Sequence, residues 1–308
     1  MPFLNRQVTY REVIPQTIHH LGEAGGTKRT GVTTRPGLFE VCGNPHCKSG
    51  WLHLWRSRSA PVFEDGWSCS ASCTEERVRA AIRRELQSRA NGSSGYRHRM
   101  PLGLLMVEQG WITPSQLKVA LEAQRSAGQG RLGHFLIRDI GISEDCVTRA
   151  LSLQWSCPVL PLRCHAPESL AGLLPRFFID AFSAVPLRVA AGSLLYLGFE
   201  QRLDTVLSLG LERMNGLRVE SGLVSGSDFC TVQKRMLNVI FPPVEVLEAV
   251  SESVLVRALA RAVERVRPIA SRLVRIHDFL WLRMWKRGSA GTVPDAQSIE
   301  DVIGSIGL

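Results

Sequence analysis

Residues 101–124 read PLGLLMVEQGWITPSQLKVALEAQ, and residues 131–154 read RLGHFLIRDIGISEDCVTRALSLQ. Laid on one another, the two stretches match Leu102 and Gly103 with Leu132 and Gly133, Met106 and Val107 with Leu136 and Ile137, and Ile112 and Thr113 with Ile142 and Ser143. The match continues through Leu117 and Val147, Ala120 and Leu121 with Ala150 and Leu151, and Gln124 with Gln154. A repeat this short is one supersecondary unit used twice. Thr113 with Pro114, and Ser143 with Glu144, supply helix-start signals at matching places, so both copies are predicted as helices.

Upstream, Asn91 to Gly95 reads NGSSG and predicts a linker that sets the repeat off as its own subdomain. Before it lie four cysteines in two close pairs, Cys42 and Cys47, then Cys69 and Cys73. Four thiolates so spaced supply a tetrahedral zinc shell. Gly43, Asn44 and Pro45 form the turn that aims the first pair, and the second pair opens a helix whose positive end favours thiolates. Between the pairs, residues 51–55 and 62–67 are predicted as the two strands of a hairpin, with a helix at 74–89. A turn pair, a hairpin and a helix-start pair resemble a treble-clef zinc finger over residues 36–90. So small a unit has little core of its own, and the metal is expected to fold it. His46 and His53 stand by as substitute ligands. Arg77, Arg79, Arg83, Arg84 and Arg89 line the helix, diluted by Glu75, Glu76 and Glu85; nucleic-acid contact is the lesser expectation for this face. Cys146, Cys157, Cys164 and Cys230 are read as ordinary core residues.

Downstream of the repeat, short strands alternate with helices. Strands are expected at 158–162, 185–189, 194–199 and 217–224, and helices from Pro167, at 175–182, at 203–214 and from Ser227, giving a small α/β subdomain over 156–240. A helix at about 248–266 and hairpin strands at 272–276 and 279–285 complete a C-terminal element over 244–287. There Phe279, Trp281 and Trp285 are expected to pack on that helix, with Arg272, Arg275, Arg283, Lys286 and Arg287 facing water. Residues 288–308 are polar and acidic and are read as a disordered tail, as residues 1–35 are read as a flexible arm. The fold class is therefore α+β multidomain: zinc finger at 36–90, helical tandem repeat at 97–155, α/β subdomain at 156–240, helix plus hairpin at 244–287.

The chain has 308 residues, 44% of them hydrophobic, and a net charge of +9. Residues 1–100 carry 15 Lys and Arg against 8 Asp and Glu, and residues 251–308 carry 9 against 6, so the basic excess lies in the flanks. No apolar run spans a bilayer and no signal peptide opens the chain, which predicts a cytoplasmic protein. The glycine-rich run at 22–28 has Thr27, not glycine, before Lys28, and so is not a phosphate loop. Nor does the chain carry a metalloprotease helix, a nucleophile elbow, a kinase set or a dinucleotide fingerprint, and a non-enzyme is expected.

The duplicated motif, with the α/β unit after it, resembles the N-terminal domain of type II secretion and type IV pilus assembly ATPases, the MshEN-type domain, over about residues 97–240. That resemblance implies a regulatory or adaptor module of secretion or pilus machinery in which each copy holds half of a cyclic di-GMP molecule. The residues it implies are Leu102, Gly103, Val107, Leu121 and Gln124 from the first copy, and Arg131, Leu132, Gly133, Ile137, Leu151 and Gln154 from the second. The first copy has Pro101 where the family has arginine, and the second has its glycine one place late, at Gly141. The family's motor is not matched in the remaining residues. Two alternatives stand beside this reading: the motif is only how two helical hairpins pack, or the chain is a zinc-finger nucleic-acid binder with the repeat as scaffold.

Overall fold

The computed structural model describes residues 42–48, 61–64, 66–87, 99–161, 167–288 and 291–307. The expected arm at 1–35, the strand at 51–55, the linker at 91–95, His53, Arg89 and Cys164 lie outside the described residues. The described residues form a mixed α+β structure with three small sheets.

The cysteine-bearing region gives strands β1 (Val62–Phe63) and β2 (Gly66–Trp67), paired antiparallel, and helix α1 (Ala71–Gln87). Residues 62–67, expected as one strand, are thus a tight hairpin in themselves, turned at Glu64 with a φ of 50°. The repeat gives α2 (Leu102–Glu108), α3 (Pro114–Ala127), α4 (Leu132–Arg138) and α5 (Glu144–Trp155). A 3₁₀ helix at Pro167–Leu170 and α6 (Arg176–Phe182) follow. Next come β3 (Ala184–Ala190), β4 (Leu194–Phe199), α7 (Thr205–Asn215), β5 (Arg218–Leu223) and α8 (Gly226–Leu237). In this second sheet β4 is central, antiparallel to β3 and parallel to β5. The strand expected at 158–162 is reduced to a single bridge between Val159 and Leu223.

The C-terminal region departs most from expectation. Residues 244–249, in part assigned to a helix, form β6 (Val244–Ala249), and α9 (Glu252–Val266) starts later, capped by Ser251. The hairpin strands are β7 (Ala270–Ile276) and β8 (Phe279–Trp285). The supposed disordered tail contains β9 (Ile299–Ile306), which lies inside a four-stranded sheet of order β6-β9-β8-β7. Asp301 and Glu300 gave that segment its disordered composition, but both are neutralised at a distance: Asp301 meets Arg283, and Glu300 meets Arg265 and Lys286.

This sheet is covered on both faces, and side-chain alternation divides them. Leu273, Leu280, Leu282, Met284 and Val302 face a core shared with Leu255, Val256, Leu259 and Val263 of α9. Val274, Ile276, Trp281 and Ile303 face the core of the preceding α/β unit. The expectation that the aromatic residues pack on α9 is therefore wrong. Trp281 lies edge-on to Phe178 of α6 at 5.4 Å, and Phe279 to Phe177 at 5.0 Å. Arg283 does not face water; it is fully buried. A guanidinium so placed needs every donor met. Its Nε and one terminal nitrogen donate to the Asp301 carboxylate at 2.8 Å each, and the other terminal nitrogen donates to Asn215 Oδ1 at 2.9 Å and, more weakly, to the Leu173 carbonyl. Trp281 Nε1 also donates to Asp301, at 2.9 Å.

The cysteine-bearing helix does not stand on its own core either. Phe63, Val78, Ala81 and Ile82 lie in the same cluster as α9 and β7, and the backbone N–H of Val62 donates to the Pro268 carbonyl. At the far end of α1, Glu85 is 1% exposed and receives a two-pronged bond from Arg213 of α7, at 2.6 and 2.9 Å, and the backbone N–H of Arg275. Burial opposes its charge, but Arg213, the Arg275 N–H and Arg84 together hold its carboxyl below the ordinary value of 4.5.

Two predictions follow from these buried charges. Asp301→Ala leaves Arg283 buried without its anion and is expected to lower unfolding stability in urea by about 3–5 kcal/mol. Glu85 is held ionised in the fold, so its contribution is complete well above pH 4.5 and fades as pH falls through that range. A Glu85→Gln variant should then lose stability relative to the parent at pH 7 and draw level with it in acid, as read by melts across pH 3–7.

Candidate functional site

The repeat packs by exchange. Helix α2 of the first copy lies on α5 of the second, α3 lies on α4, and the two short helices α2 and α4 meet between them. The core is built from matching positions, Met106 with Leu136, Ile112 with Ile142, Leu117 with Val147 and Ala120 with Ala150, and Leu132 packs against them. Thr113 forms a full capping box with Gln116, with Pro114 opening the helix, and Ser143 caps α5 through the Cys146 N–H. The turn between the short and long helix reaches the left-handed region at Gly110 in one copy and Gly141 in the other, which explains the displaced glycine.

The motif residues obey the same pseudo-two-fold relation. Gln124 Nε2 donates to the Gly130 carbonyl at 2.8 Å, and Gln154 Nε2 donates to the Met100 carbonyl at 2.8 Å. Each glutamine thus ties the end of one copy to the residue just before the other. Gly103 is buried where a Cβ would run into Leu117 and Leu132, and Gly133 is half-buried where a Cβ would stand 2.9 Å from Val147. Both glycines have a packing reason of their own: they let the short helix approach the long one. Leu102, Val107, Leu121, Leu132, Ile137 and Leu151 are half-buried, with Leu151 reaching the α/β core. Arg131 is exposed and forms no ion pair with a described residue.

The repeat is fastened to the α/β unit at one end of α5. Glu144 accepts from the Ser227 N–H at 2.8 Å and the Ser227 hydroxyl at 2.5 Å, at the start of α8. At the other end Trp155 packs against the α/β core. Sequence reading took Glu144 only as a helix-start signal and passed over Trp155.

The four cysteines converge as expected. The sulfurs of Cys42, Cys47, Cys69 and Cys73 all lie within 4.8 Å of one another. Cys69 Sγ is 3.5 Å from Cys47 Sγ and 3.6 Å from Cys73 Sγ, close to the ~3.8 Å edge of a tetrahedron with Zn–S bonds of about 2.3 Å. Donor set and spacing therefore fit a tetrahedral metal shell. Asn44 holds the turn, its carbonyl accepting from the Cys47 N–H and its amide donating to Glu76. Arg77 stitches turn to hairpin by donating to the Gly66 and Phe63 carbonyls, and its guanidinium fills the space where Gly43 and Gly66 lack side chains. His46 is exposed and outside the cluster.

The expected arginine stripe on α1 is engaged within the fold. Arg77 holds the hairpin, Arg79 pairs with Glu75, Arg83 with Glu252, and Arg84 with Glu64 and Glu85. No helix among the described residues is long and apolar enough to cross a membrane.

No protein-family model matches the chain, and no curated protein does. Among solved structures, the chain is similar to one described as "Structure of MshE with cdg", at 29% identity over 45% of this chain and 99% of that one, with a TM-score of 0.36. It is also similar to two crystal forms of the N-terminal domain of XpsE, each at 19% identity. These cover 44% and 42% of this chain and 92% and 90% of theirs, with TM-scores of 0.32 and 0.25.

Burial raises the thiol of Cys69 to about 12, helped by hydrogen bonds to the neighbouring cysteines, and burial likewise raises Cys42. Without a cation, then, Cys42 and Cys69 hold their protons at neutral pH, and an incoming metal must displace them. Apparent metal affinity is accordingly expected to climb as pH rises from 6 to 8. Loading the cluster with cobalt should give the absorption of a tetrahedral thiolate complex, and Cys69→Ser should abolish it.

Proposed function

We propose that the chain is a non-catalytic regulatory or adaptor protein whose helical repeat takes up cyclic di-GMP, with a structural zinc ion in the cysteine cluster. Cys42, Cys47, Cys69 and Cys73 would hold the zinc, whose role is to neutralise four crowded thiolates and to fix the turn against the start of α1. Its resemblance to the N-terminal domain of secretion and pilus ATPases makes a protein of that machinery the expected partner.

The observation that carries the ligand reading is the reciprocal pair of glutamine bonds, Gln124 to Gly130 and Gln154 to Met100. They give the repeat two equivalent corners, and a guest with two equivalent halves matches them. In each corner the amide nitrogen is committed to a carbonyl, which leaves the amide oxygen as an acceptor suited to the N–H groups of a guanine edge. Leu102, Val107 and Leu121, with Leu132, Ile137 and Leu151, supply half-buried apolar surface beside them, and Arg131 supplies a cation without an ion-pair partner among the described residues. The two motif glycines let the helices close and so shape the corners. Binding would alter how the repeat sits on its partner, to the extent that the ligand prefers one arrangement.

Titration calorimetry of the full chain with cyclic di-GMP is expected to show one molecule bound per chain. Arg131→Ala should weaken it by about tenfold to a hundredfold, the loss of one charge-assisted contact. Absence of heat and of any thermal shift at millimolar ligand would sink the ligand reading. The nucleic-acid alternative finds no support in α1, whose described arginines are held by carboxylates and carbonyls.

A further inference from the structure

The first copy lacks the motif arginine, and the structure places other cations beside the same corner. Arg99, two residues before Pro101, sets its guanidinium carbon 3.4 Å from the ring centre of Trp155, a stacking distance. Arg202, from the loop between β4 and α7, comes to 5.9 Å from the same ring centre. Trp155 directly follows Gln154, the glutamine that holds the Met100 carbonyl. Two guanidinium groups from opposite sides of a subdomain boundary thus meet at one indole, at the corner equivalent to the one where the second copy offers Arg131.

Neither Arg99 nor Arg202 forms an ion pair with a described residue. The carboxylates nearest Arg202 in the chain are engaged elsewhere: Glu200 accepts from Gln201, and Asp204 caps α7 and meets His277 at 2.7 Å. Two like charges held on one ring repel, and a bound anion would remove that repulsion. The indole holds the Arg99 guanidinium against its ring, and a planar guanidinium suits the oxygens of a phosphate.

We infer that Arg99 and Arg202, assembled on Trp155, form a phosphate-binding site that serves the half of the repeat in which proline replaces the motif arginine. The inference rests on the dinucleotide reading proposed above and adds to it: the α/β unit contributes a ligand contact through Arg202, so occupancy would tie the repeat to its neighbour.

The test is calorimetric titration of the full chain with cyclic di-GMP, using Arg99→Gln, Arg202→Gln, the double variant and Arg202→Lys, each checked for an unchanged melting temperature without ligand. Both arginines are exposed, so folding should survive. Each single glutamine variant is expected to weaken binding about tenfold or more, and Arg202→Lys to recover part of the loss. If the parent binds and Arg131→Ala weakens it while the double variant binds like the parent, the phosphate site is wrong and the dinucleotide reading stands. If the parent does not bind, both are wrong.

Discussion

A guanidinium and a carboxylate, both without exposure to water, govern this fold: Arg283 on β8 and Asp301 on β9. Taking two charges out of water is costly, and the arrangement persists only because the remaining donors and acceptors are met by Trp281, Asn215 and Leu173. The pair also fixes position. Arg283 and Asp301 are direct neighbours in the antiparallel register, and a slip of one residue would carry Asp301 to the apolar face against α9. Because Asn215 and Leu173 belong to the α/β unit, the same contact sets the distance between that unit and the C-terminal sheet.

From that wall the other parts take their places. The sheet presents one face to α6 and α7 and the other to α9, with α1 laid beside α9. Glu85 then clamps α1 to α7 and β7, so the cysteine cluster at the opposite end of α1 is held on the same sheet that supports the α/β unit. The repeat is attached more lightly, through Glu144 at one end of α5 and Trp155 at the other. Its corners are shaped chiefly by its own exchanged helices.

Most of the repeat was legible in the sequence because its information is local. Thr113 and Ser143 cap the helices they precede, and matched apolar positions form one core. The cysteine cluster was legible for the same reason: close pairs in sequence become close sulfurs. The C-terminal sheet was not, because its meaning lies in partners far along the chain. Asp301 and Glu300 read as solvent-seeking until Arg283, Arg265 and Lys286 are brought beside them. Likewise Arg283, amid FLWLRMW, read as the wet side of an amphipathic strand, although the strand is covered on both faces. The glycines at 103 and 133 gave no sign in the sequence of their packing role, because the leucine and valine side chains that require it come from other helices.

The order of the strands carries a consequence for biosynthesis. β6 and β8 are made first, yet they do not touch; β9, the fourth strand to be synthesised, is the one that fills the gap between them. Until residues 299–306 leave the ribosome, α9 and the hairpin must wait with a gap in the sheet's centre, their apolar surface open to other chains. Nascent protein stalled before that point therefore offers two ready strand edges to any neighbour, and it is in that interval that a chaperone has most to protect.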